Sequence, residues 1–128
     1  MSYYFSKVVN KDFDTAILTV SKALKKEGFG ILTEIDVQQT LGEKLDVNFR
    51  KYKILGACNP QLAYEALLTE GTIGTMLPCN VIVQEQKNGQ IEVAAVDPVA
   101  SMKAIENNHL HEIAIKVRKK LKKVILQL

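Results

Sequence analysis

Residues 80–96 read Asn80-Val81-Ile82-Val83-Gln84-Glu85-Gln86-Lys87-Asn88-Gly89-Gln90-Ile91-Glu92-Val93-Ala94-Ala95-Val96. Two apolar, β-branched runs, 80–86 and 90–96, flank Lys87-Asn88-Gly89. An Asn-Gly pair between such runs is the strongest short-range signal for an antiparallel hairpin. After the hairpin, Asp97-Pro98 combines a capping side chain with a residue whose fixed φ suits the first helical position, so a helical region opens there. Asn107-Asn108 interrupts it, and a last helix is expected from about His109 to Leu126.

Upstream, the same device recurs at Asn59-Pro60. It follows the compact apolar run Tyr52–Cys58, a third strand, and starts a helix with Leu62, Ala63, Ala66 and Leu67 as its stripe and Gly71 as its stop. A loop is expected over Thr72–Pro78. Further back, Phe29–Val37 alternates as a strand, with Ile31, Thr33, Ile35 and Val37 on one side. The segment through Leu41 and Leu45 reads as no more than a helical turn, because Gly42 interrupts it. Phe13, Ala16, Ile17, Val20, Ala23 and Leu24 recur at helical spacing after the cap Asp12, and Lys25 and Lys26 precede Gly28. That is a complete amphipathic helix, its charges matched to the macrodipole. Tyr3–Val9 reads as the first strand.

The element order β-α-β-β-α-β-β-α predicts an α+β fold: a mixed, mostly antiparallel sheet of about five strands with helices packed on one face. Neither linker nor repeat interrupts residues 1–128, so a single domain is expected. With 47% hydrophobic and 24% charged residues the composition is that of an ordinary globular protein. A chain of this length buries about two thirds of its unfolded surface and needs neither disulfide nor metal for a core. No apolar run reaches the roughly 18 residues of a membrane span. The start lacks a basic segment followed by a long apolar one, so no signal peptide is expected, and a cytoplasmic protein with free thiols is.

The net charge of +3 is uneven. Residues 109–128 carry Lys116, Arg118, Lys119, Lys120, Lys122 and Lys123 against Glu112 alone, a net of +5. The apolar seam Leu110, Ala114, Val117, Leu121, Val124 and Leu128 has heptad intervals but spans fewer than three heptads, so it is expected to face the core. With no aromatic residue in the segment, neither nucleic acid nor a membrane is an expected partner. The lysine face could still dock an acidic partner. Homodimerisation is expected from the base rate for small soluble proteins.

The residues that ask for a chemical explanation are Gly56-Ala57-Cys58-Asn59-Pro60 and Leu77-Pro78-Cys79-Asn80-Val81, which share a Cys-Asn pair at element junctions. Cys58 stands at a helix start, where free amides favour a thiolate or an anion. Packing offers a plainer explanation, because free cysteine is among the most buried residue types. If the strands around the Pro60 helix were parallel, the two cysteines would lie about 17–20 Å apart. The seven residues Thr72–Pro78 can reach about 23 Å, so proximity is left open. Two cysteines separated by twenty residues lack metal-ligand spacing, and His109 and His111 point to different sides of a helix, so no metal is expected. No nucleophile elbow or phosphate-binding glycine loop occurs; no catalytic residue or cofactor is assigned, and the balance is against an enzyme.

Thr33-Glu34-Ile35-Asp36-Val37, Tyr52-Lys53-Ile54-Leu55-Gly56-Ala57-Cys58-Asn59-Pro60, Leu62-Ala63, Ala66-Leu67, Ile73-Gly74, Met76-Leu77-Pro78-Cys79-Asn80-Val81 and Asp97-Pro98, in this order, resemble the family called domain of unknown function 302. The resemblance implies a small α+β protein of bacterial or archaeal type, with no established biochemical role. In the family pattern a histidine follows the Asn-Pro pair by four residues; here Tyr64 stands there, so a mechanism needing imidazole beside Cys58 is not implied. The expectation is a ligand-binding or interaction module using Gly56, Cys58, Asn59, Cys79, Asn80 and Tyr64, possible small-molecule binding included. The alternative is thiol redox or sulfur chemistry at Cys58 and Cys79.

Overall fold

The computed structural model describes residues 2–128. The elements are β1 (Tyr4–Val9), α1 (Phe13–Lys26), β2 (Gly30–Asp36), α2 (Val37–Leu45), β3 (Tyr52–Cys58), α3 (Pro60–Thr69), a 3-10 helix (Gly71–Met76), β4 (Cys79–Glu85), β5 (Ile91–Val96), α4 (Pro98–Ser101) and α5 (Asn108–Leu126). The strands form one sheet in the order β1-β5-β4-β3-β2. All four pairings are antiparallel, so the α+β expectation holds and its mixed sheet becomes an antiparallel one. The cause is the path between β3 and β4. The ten residues of α3 carry the chain out by about 15 Å and the six-residue 3-10 helix returns it by about 12 Å, to the end it left.

Each α-helix starts on an aspartate or asparagine whose side chain accepts from an amide inside the first turn: Asp12 from Thr15, Asp36 from Gln39, Asn59 from Leu62, Asp97 from Val99 and Asn107 from Leu110. Such a cap stabilises a helix by about 1 kcal/mol. The second of these explains α2, a nine-residue helix where the sequence pattern predicts only a turn. Asp36 caps its start and Asp46 closes it in the left-handed region at φ 53°, while none of its side chains is fully buried. Its apolar positions Val37 and Leu41 are only half-buried and Leu45 is exposed, so its ends hold it more than its packing does.

Along β4, Cys79, Val81 and Val83 turn inward, as do Leu55 and Ala57 on β3 and Ile91, Val93 and Ala95 on β5. They meet Ala16, Val20, Ala23 and Leu24 of α1 and the α5 seam. That seam, Leu110, Ala114, Val117, Leu121 and Val124, is buried as expected, joined by Ile113 and Ile125. Burying one such aliphatic side chain contributes about 1.5–3 kcal/mol. The strand positions between them, among them Tyr4, Val8, Asn80, Ile82 and Glu92, line the opposite face. On β2 the expected alternation is broken by a bulge at Leu32, which sends Ile31 to the core side and Thr33 and Ile35 to the other. Asp97 is the buried charged residue of the core rim; it caps α4 and pairs with Arg118 at 3.5 Å. No helix is long and apolar enough to cross a membrane among the described residues.

Candidate functional site

The two Cys-Asn segments meet because β3 ends where β4 begins. Ala57 pairs with Cys79 and Gly56 with Asn80, which brings the predicted residues to one end of the sheet. The register then separates them, since residues paired across an antiparallel ladder share a face and successive residues alternate. Ala57 and Cys79 face the helices and are buried. Gly56 and Asn80 face the other way, and Asn80 is exposed.

Gly56 has a packing role. A Cβ at this position would collide with Oγ1 of Thr33 and stand 2.8 Å from Cγ of Pro78, so no larger residue fits between those side chains. Asn59 is also structurally committed. Its Oδ1 accepts from the Leu62 amide at 3.3 Å and its Nδ2 donates to the Glu27 carbonyl at 3.5 Å, joining the end of α1 to the start of α3. Gly28, at φ +86°, lies directly beneath; a Cβ there would stand 3.0 Å from Nδ2 of Asn59.

What the two segments enclose is a cavity of about 30 Å³. Ala57, Cys58 and Asn59 form one wall and Leu77, Pro78 and Cys79 another; Leu62, Ala63 and Ala66 of α3 face Leu110, Ile113, Ala114 and Val117 of α5 across it. The space exists because alanines stand on both facing helices where larger side chains would interlock. Next to these helices, Asn107 donates to the Thr69 carbonyl at 3.0 Å and to Oε1 of Glu70 at 3.1 Å while accepting from the Leu110 amide at 3.0 Å. That tie fixes the end of α3 to the start of α5. The volume exceeds the roughly 10–15 Å³ one water requires, but a water there would find few of the two to four polar partners it needs. The geometry favours apolar atoms.

Of the six predicted residues, Cys58, Asn59 and Cys79 line this cavity. Gly56 supports it from behind, Asn80 belongs to the opposite sheet face, and Tyr64, 64% exposed, lies outside the lining. The α5 residues and Met102 that complete the wall escape sequence reasoning. Their positions on a core seam are legible, but nothing local says that α5 packs against α3 beside the β3–β4 corner. His109 stands in solvent, its Nδ1 3.6 Å from Glu112.

Both thiols are held protonated. Burial raises Cys58 above the ordinary thiol value. Burial, with Cys58 adding in the same direction, pushes Cys79 up to about 11. The folded chain therefore keeps the Cys79 proton more tightly than the unfolded chain. The resulting stability is fully present below the unfolded thiol pKa of about 8.5 and is lost as pH rises toward the folded value. Urea unfolding of the wild type and of Cys79→Ala should show their stability difference shifting against the wild type by about 2–3 kcal/mol between about pH 8 and 11. A pH-independent difference would contradict this.

The sequence model described as "Domain of unknown function DUF302" matches residues 5–128. Among solved structures, the crystal structure of an uncharacterized conserved protein DUF302 from Bacillus stearothermophilus is similar to this chain at 29% identity and a TM-score of 0.91, over 99% of this chain and 98% of that one. No curated protein matches. A match running almost from end to end, on a shared architecture, leads to one conclusion: the chain belongs to the DUF302 family.

Proposed function

We propose that the domain is a binding module whose site is the cavity between the β3–β4 corner and the helices α3 and α5. One observation carries this reading: two short segments with the same Cys-Asn pair, twenty-one residues apart in chain position, converge on a single apolar hollow. The ligand group that fits is uncharged and small, because among the described residues no carboxylate or ammonium lines the walls and burying an unpaired charge there would cost several kcal/mol.

The test is occupancy by a neutral apolar probe in solution. Under xenon pressure, methyl resonances of Leu62, Leu110 and Ile113 are expected to shift together and saturably. Ala66→Leu, which fills the hollow, should abolish the shifts; Ala114→Val serves the same purpose with a smaller added volume. Shifts scattered over the surface, or none at these methyls in the folded wild type, would overturn the reading.

Thiol chemistry is the second reading, supported by the partial exposure of Cys58 just before α3. It has the weaker support, because a reactive cysteine needs a lowered pKa and both thiols here are raised.

A further inference from the structure

Beside the apolar cavity lies a second hollow of about 410 Å³, bordered by Asn59, Gln61, Leu62, Lys116, Lys119 and Lys120. Asn59 and Leu62 border both spaces, so the two adjoin at these residues. The lysines stand at i, i+3 and i+4 on α5, positions that face each other on a helix surface, where like charges repel and destabilise the helix. Two other cations of α5 have carboxylate partners, Arg118 at 3.5 Å from Asp97 and Lys123 at 3.5 Å from Glu27, and Lys122 lies over the Phe5 ring at 5.9 Å. Among the described residues Lys116, Lys119 and Lys120 have no carboxylate within 4.0 Å, although Lys120 is half-buried.

Resting on the reading of the cavity as a binding site, we propose that the ligand is a short amphiphilic anion of the short-chain carboxylate class. Its apolar end passes Leu62 into the cavity and its carboxylate lies on the three lysines. The anion supplies the charge the lysine cluster lacks, through charge-assisted hydrogen bonds from Nζ. The cavity, lined by neutral groups, takes only the hydrocarbon end. At about 30 Å³ it admits a tail of two or three carbons. A bare anion satisfies only the outer hollow, and an alcohol of the same length only the inner one.

Titration of the full chain with butyrate, 1-butanol and inorganic phosphate, followed by methyl and amide resonances, separates these cases. Butyrate is expected to bind at least about tenfold more tightly than either of the others at low ionic strength, and to weaken as salt is raised. The triple variant Lys116→Gln, Lys119→Gln, Lys120→Gln should remove the advantage over butanol while leaving butanol binding unchanged. Equal affinities for butyrate and butanol, unaffected by the triple variant, would overturn the anionic class and leave the apolar site standing. Phosphate binding as well as butyrate would reduce the hollow to a plain anion site and overturn the proposal. If the cavity methyls respond to neither organic probe, the cavity reading fails with it.

Discussion

Replacing Leu110 by alanine is expected to lower the unfolding free energy by about 3–5 kcal/mol, measured by urea denaturation. Leu110 is fully buried in the first turn of α5 and forms part of the cavity wall. Truncation removes its transfer energy and leaves a void beside one that already exists. The local frame cannot collapse to close it, because Asn107 ties this turn to the end of α3. Against a typical stability of about 5–15 kcal/mol the loss is large. The enlarged cavity should also take up a bigger neutral probe, such as benzene. A cost below about 1 kcal/mol would mean that α3 and α5 close over the gap and that the hollow is not held open by its frame.

Gly56→Ala is the second large effect, and it acts from the other side of the sheet. The added methyl meets Thr33 of β2 and Pro78 just before β4, and the proline ring has little freedom to withdraw. Overpacking of this kind costs about 1–3 kcal/mol, occasionally more. Pairing the change with Thr33→Ala removes one of the two obstacles, so the double variant should recover part of the loss and cost less than the sum of the two single changes. Additive effects would mean that the collision with Thr33 is relieved by rotation of its side chain.

Much of this architecture is legible in the residues. The Asn88-Gly89 hairpin, the Asp-Pro and Asn-Pro helix starts and the seam of α5 rest on local rules, and the structure has each of them. What escapes is set by long-range geometry. The direction of β4 relative to β3 depends on a return path through a 3-10 helix that Gly71–Met76 does not announce, since its signals read as loop. The bulge at Leu32 shifts the facing of β2 by one residue, which an alternating pattern cannot reveal. α2 depends on its caps rather than on a stripe.

The candidate site divides along the same line. Cys58, Asn59 and Cys79 stand out as unusual residues at junctions, and they do meet. Which face each side chain takes follows from the register, and the register sends Asn80 away from the cavity and gives Gly56 a packing role. Tyr64 falls on the exposed side of α3. The lysines of α5 read as a solvated face until the fold brings Asn59 and Leu62 beside them.

Diffraction from a crystal held under xenon decides whether the space at the β3–β4 corner is a dry binding cavity. One strong peak is expected in contact with Cys79, Leu110 and Ala114, absent from Ala66→Leu crystals. Xenon found only in surface crevices, with the space beside Cys79 filled by ordered water, would contradict it.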